Sequence, residues 1–387
     1  MQKLNNQAEK FNLNNSVTYL NGAYMSPQLE SVSKAGFNAL SLKEDPSGIG
    51  VDDFYTNSDS IREEFSRLIN AKASKRIALI PSVSYGMANV AKNIKVAGRK
   101  IILVGEQFPS NVYPWMRLAE EQGGQVIIIN APESNENRGE NWNAEILKAI
   151  DSSTALVALS HVHWADGTIF ELSEIRRRTK EVGSLLVIDG TQSVGAMPFN
   201  VEELKPDALI CAGYKWLLGP YGLGVAYYGE AFDNGTPIEE NWINRLNSED
   251  FTKLVDYEER YQSGALRYEV GEHSNFILVP MLLRALRQLN EWTPERIQQY
   301  CEDLVDPVIP RLMASGFWLE SKEYRANHLF GIRHKSIPIE VIKKELEAAG
   351  IFVSYRGTSV RISPNVYNNA EQMELFANKL TSIQAHA

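Results

Sequence analysis

The chain has 387 residues, 44% of them apolar, enough to bury a large core and to divide into two domains. A formal charge of −9 argues against a nucleic-acid or anionic-membrane surface. Two cysteines, Cys211 and Cys301, give no disulfide framework, and a reducing cytoplasm is expected.

Residues 1–20 read as an N-terminal arm whose polar start lacks the apolar core of a signal peptide. No apolar run approaches membrane-spanning length, so no membrane partner is expected. The six histidines show no HExxH spacing, and no metal site is expected. Thr18 to Pro27 carries small residues and closes on Ser26-Pro27, an extended loop that includes Asn21 and Tyr24.

From Arg76 strand and helix patterns alternate. Apolar runs occur at 77–80, 101–104, 126–129, 155–159, 185–188, 208–211 and 224–228, with helical periodicity between them. Strands hydrophobic on both sides predict a mostly parallel, seven-stranded sheet wrapped by helices, an α/β large domain over residues 21–265. The polar stretch 230–265 suits a mobile surface crossing, and residues 266–387 read as a smaller α+β domain.

The ends of these strands carry the chemistry. After Ile80, Pro81-Ser82-Val83-Ser84-Tyr85-Gly86 turns directly into a helix, whose free N–H groups and dipole suit an anion. Ser84 also suits an N-cap there. Past Val104 stands Phe108, and past Leu159 stand His161, His163 and Trp164. The run 185–188 stops at Asp189, a carboxylate at the sheet edge where α/β proteins bind ligands. The run 208–211 empties into Gly213-Tyr214-Lys215-Trp216, followed by the glycine-rich Leu217-Leu218-Gly219-Pro220-Tyr221-Gly222. A solvated lysine needs no such frame. Partial burial lowers a lysine's pKa and suits it to Schiff-base formation, and an acid beside a pyridinium nitrogen is the second part that pyridoxal phosphate (PLP) chemistry needs.

The Asp189, Gln192 and Lys215 set in its strand context resembles the PLP-dependent class V aminotransferase family of fold type I, from Tyr19 to about Asn368. Cysteine desulfurases, kynureninases and isopenicillin-epimerase-like proteins belong to that family. The resemblance implies a transaminase or a C–S or C–C lyase acting on an α-amino acid, with Lys215 and Asp189 catalytic. It implies that Ser84 and Tyr85 hold the cofactor phosphate, that Phe108 stacks on the ring, and that Gln192 and either His163 or Trp164 lie near the phenol oxygen. Tyr214 flanks the lysine. Arg361 would grip the substrate carboxylate, with Arg356 a weaker second choice, and Asn21 and Tyr24 would lie near the substrate. Ser274 and Asn275, at the start of a helix over 276–292, would reach the partner's cofactor in a homodimer with shared active sites.

Epimerase-like and kynureninase-like activities share this apparatus, and a degenerate PLP-binding scaffold or regulator is the alternative that is not an enzyme. A dinucleotide-binding dehydrogenase is disfavoured, because Gly222-Leu223-Gly224 runs into a strand. Desulfurases place a histidine where Phe108 stands and a cysteine shortly before the carboxylate arginine. Residues 348–360 contain no cysteine, so a persulfide-forming desulfurase is not expected.

Overall fold

The computed structural model describes residues 3–14 and 16–383. All seven apolar runs enter one sheet: β1 (Ile77–Ile80), β2 (Lys100–Val104), β3 (Gln125–Ile129), β4 (Thr154–Ser160), β5 (Leu185–Asp189), β6 (Ala208–Ala212) and β7 (Gly224–Tyr228). Their order is β1-β7-β6-β5-β4-β2-β3. Strands β3, β2, β4, β5 and β6 are parallel, whereas β7 is antiparallel to both β1 and β6. The reason is local. The link from Gly213 to Leu223 holds no helix, and a parallel return needs a crossover of about a dozen residues or more.

Two cores flank the sheet. On one side Met87, Val90, Trp115 and Leu118 pack against residues such as Ile101, Val187 and Ile210. On the other, Phe65, Trp142, Ile175 and Leu282 pack against Ile102, Leu186 and Leu209. Burial on both faces is why these strands, apart from the partly exposed edge strand β3, are continuous apolar runs.

A third core belongs to a four-stranded antiparallel sheet, in the order β10-β11-β9-β8. Its strands are β8 (Phe317–Leu319), β9 (Phe330–His334), β10 (Ser354–Arg356) and β11 (Ser359–Ile362). The helices Ile339–Ala348 and Ala370–Thr381 cover it.

The boundary expected at residue 265 is corrected by the packing. The Leu278–Trp292 helix sends Leu282, Leu286 and Leu289 into the core of the large sheet, against the Glu30–Glu44 and Thr56–Leu68 helices. The arm is also shared out. Leu4 and Phe11 join the large core, while Thr18–Tyr19 pairs in parallel with Ile351–Phe352 and Leu20 joins the small one. Nor is 230–265 a loose crossing. Ile243 and Asn244 are buried, and the rings of Phe54, Trp242 and Phe251 meet edge to face. Among the described residues no helix is long and apolar enough to cross a membrane.

Candidate active site

A cavity of about 220 Å³ opens at the carboxyl ends of the central strands. It is lined by Ser82, Val83 and Ser84 from the first turn after β1, Phe108 after β2, and Ser160 and Trp164 from the end of β4. Asp189, Thr191 and Gln192 line it after β5, and Tyr214, Lys215 and Tyr221 after β6. Register explains part of this convergence, since Ser160 is directly paired with Asp189, and Asp189 with Ile210.

Lys215 is 6% exposed, and its side chain has no hydrogen-bond partner or ion pair among the described residues. Its Nζ lies 5.2 Å from the ring centre of Phe108 and 5.6 Å from that of Tyr214. Burial lowers its pKa to about 8; Asp189 opposes the shift, and the charges of Arg361 and Arg356 add to it. Asp189 is buried at the end of β5, where one carboxylate oxygen accepts the Thr191 N–H at 3.0 Å. Burial raises its pKa, opposed by the Thr191 hydrogen bonds and by Lys215. Acid and amine thus share one cavity without pairing to each other.

The loop bearing Lys215 is rigidly set. Gly195 has φ 98°, and a Cβ there would stand 2.3 Å from the Trp216 carbonyl oxygen, so the turn after Gln192 packs directly on the lysine loop. Trp216 donates its indole N–H to Gln192 Oε1 at 2.8 Å, and Gln192 Nε2 donates to the Ala23 carbonyl at 3.1 Å. His328 lies edge-on to Trp216 and bonds the Gln192 carbonyl at 2.7 Å.

The Val83–Lys92 helix is capped by Ser82, whose Oγ accepts the Tyr85 N–H at 3.2 Å; the expected cap was Ser84. Among the described residues the N–H groups of Val83 and Ser84 have no protein acceptor at the cavity wall. Tyr85 is corrected. Its hydroxyl turns away from the cavity and donates to Glu239 at 2.7 Å.

His163 is also corrected. Its ring is buried, with Nδ1 3.1 Å from Asp166 and Nε2 3.3 Å from the Gly105 carbonyl, while Trp164 lines the cavity instead. Arg138 and Arg333 both bind Asp166, at 2.8 and 2.9 Å, and this buried ion cluster holds the imidazole inward. Trp164 meets Phe108 edge to face at 5.4 Å.

Arg361 and Asn21 lie beside the cavity. Arg361 Nη1 donates to the Trp164 carbonyl at 2.8 Å and Nη2 to Ser354 Oγ at 3.2 Å. Ser354 in turn donates to Asn21 Oδ1 at 2.7 Å, so Asn21 acts on the arginine through the serine. Tyr24 is mostly exposed. Ser274 and Asn275 do not line the cavity of their own chain, and Asn275 Oδ1 accepts the Leu278 N–H at 2.9 Å as a cap.

The family description Aminotransferase class-V matches residues 51–376. The chain belongs to the class V aminotransferase family. A probable cysteine desulfurase of Pyrococcus abyssi is 28% identical over 84% of this chain and 81% of the relative. An uncharacterized aminotransferase of Bacillus subtilis, YcbU, is 24% identical over 84% and 83%. Among solved structures, the apo cysteine desulfurase of Thermococcus onnurineus NA1 superposes with a TM-score of 0.82 at 22% identity, covering 98% of both chains. The cystine C–S lyase C-DES, in complex with cysteine persulfide, gives 0.83 at 18%, covering 95% of this chain and 97% of that one. At such identity the likeness is one of fold.

Within this class V chain, Ser160 and Thr191 are among the cavity residues that escape a reading by sequence, as are Gln107 and Ser110. Ser160 ends β4 with its Oγ buried and without a partner, and Thr191 donates its backbone N–H to Asp189 while its Oγ accepts the Ala212 N–H at 3.1 Å. A hydroxyl at the end of an apolar run was the available signal for Ser160.

Proposed function

We propose that this chain is a PLP-dependent enzyme that acts at the Cα of an amino acid, as a transaminase or a C–S or C–C lyase. The observation that carries the proposal is Lys215 and Asp189 buried in one cavity, each with its ionisable atoms free of the other. These residues fit the cofactor. Asp189 would face the ring nitrogen, Phe108 the ring, and the N–H groups of Val83 and Ser84 with the Ser84 hydroxyl the phosphate. When bound, PLP supplies an electron sink for a bond broken at Cα.

The protein's own residues supply the rest. The Lys215 amine, held near pKa 8, is available as a base at neutral pH and moves the proton at Cα. Arg361 takes the substrate carboxylate in a bidentate grip. Ser354 and Asn21 hold that arginine in place. Phe108, Trp164 and Tyr214 exclude water from the reacting centre.

Borohydride reduction of the PLP-loaded protein should fix the cofactor to the peptide containing Lys215, read by mass mapping. Fixation to any other lysine overturns the assignment.

The sulfur chemistry should be direct. Cys211 is buried in β6, and its pKa is pushed up by burial and by Asp189. Cys301 is buried in the Pro294–Val305 helix, where burial raises its pKa and its thiol faces the Pro364 carbonyl. Neither thiol lines the cavity. After incubation with L-cysteine, mass spectrometry should find no sulfur added to either cysteine. A stable one-sulfur adduct, lost together with turnover on Cys→Ser exchange, would sink this expectation. Two buried, unpaired thiols also suit a reducing cytoplasm.

The active form is proposed to be a homodimer. Ser274 and Asn275 do not line the Lys215 cavity of their own chain, and Phe37 and Leu40, three residues apart on the Glu30–Glu44 helix, are 70% and 45% exposed. Sedimentation should give a dimer, with an interface of roughly 2,000 Å² or more. A fully active monomer would count against it.

A further inference from the structure

Buried arginines elsewhere in this chain meet carboxylates. Arg62 binds Glu269 at 2.6 Å, Arg138 binds Asp166 at 2.8 Å, and Arg325 lies 3.5 Å from Asp306. Arg361 and Arg356 do not. Arg361 is 1% exposed, yet it donates only to the Trp164 carbonyl and Ser354 Oγ, and its Nε has no acceptor. Arg356 is half-buried and donates only to the Tyr355 carbonyl at 2.7 Å, again with Nε buried and unpartnered. Among the described residues neither forms an ion pair.

The hairpin explains why the two charges lie together. Ser354 is directly opposite Arg361 across the β10–β11 pair, and Arg356 is two residues on from Ser354. Alternation along a strand therefore puts Arg356, Ser354 and Arg361 on one face. Gly357, with φ 55°, makes the turn between the strands. Both guanidinium groups approach the same indole, at 5.2 Å for Arg356 and 5.9 Å for Arg361 from the Trp164 ring centre. Trp164 is a wall of the Lys215 cavity. Glu106 and Glu133 line the neighbouring cavity with Arg356, but neither pairs with it. Burial and the repulsion of Arg356 press the Arg361 pKa down to about 9. Two uncompensated cations beside one indole are costly unless anions arrive to pair them.

One anion, the α-carboxylate, satisfies Arg361 and leaves Arg356 open. We infer that Arg356, stacked on Trp164, is a second anion subsite and that the substrate is an amino acid with a side-chain carboxylate. The inference rests on the proposed role of Lys215 and Arg361 for where the amino acid lies.

The test uses acids without an amino group, so it needs no reaction at the cofactor. Calorimetric titration of the PLP-loaded full chain should find succinate bound at least about ten-fold more tightly than butyrate, which has a methyl group in place of the second carboxylate. Arg356→Gln should bring that ratio close to one, and Arg356→Lys should recover part of it. In turnover, the kcat/KM ratio of L-glutamate over L-glutamine should fall in step. Equal binding of succinate and butyrate by the wild type, or a ratio unchanged in Arg356→Gln, overturns the inference. The wild-type comparison stands even if the variant does not fold. Failure of the Lys215 assignment is separate, because it is read from the borohydride label while the acid titration still reports on Arg356.

Discussion

Lys215→Ala should lower turnover by at least about 10³-fold, because one substitution removes both the covalent tether and the proton carrier. The variant should lose the visible absorbance of the bound cofactor while keeping its fold by circular dichroism. The fold should survive because the Lys215 side chain makes no hydrogen bond or ion pair among the described residues, so no partner is orphaned. The wild type offers a companion measurement. The amine is displaced from 10.5 to about 8, so covalent cofactor uptake should rise as the pH passes through 8. A midpoint near that of a free lysine, or a Lys215→Ala variant that retains turnover within ten-fold, would overturn the assignment.

Asp189→Asn should cost about 10²- to 10³-fold in kcat, through the loss of a fixed negative charge at a water-poor site. The change is close to isosteric, and the amide oxygen can still accept the Thr191 N–H, so stability should change little. The pH profile gives an independent sign. Asp189 holds the Lys215 pKa up against burial, so its neutral replacement should move the amine below about 8 and shift the rise in cofactor uptake to lower pH. A kcat within three-fold of wild type, or a shift to higher pH, would contradict the role given to Asp189.

The sequence alone determined the sheet and which strand ends face the site. All seven apolar runs became strands; a strand buried on both faces needs an unbroken run of apolar residues, and only the edge strand β3 is left partly exposed. Asp189 and Lys215 were legible for that reason: Asp189 directly follows such a run, Lys215 follows one by way of Ala212-Gly213-Tyr214, and local chain geometry fixes where the next residues go. Tertiary structure decided which way the side chains turn. Tyr85 follows Glu239, and His163 follows an Asp166 neutralised by Arg138 and Arg333, partners that pattern along the chain does not reveal. It also decided that the Leu278–Trp292 helix packs with the large sheet, since its amphipathic face specifies burial but not against what. The meeting of Arg356 and Arg361 over Trp164 is of the same kind. Strand pairing in the small sheet aligns the two arginines, and only the docking of that sheet against the end of β4 brings them to one indole.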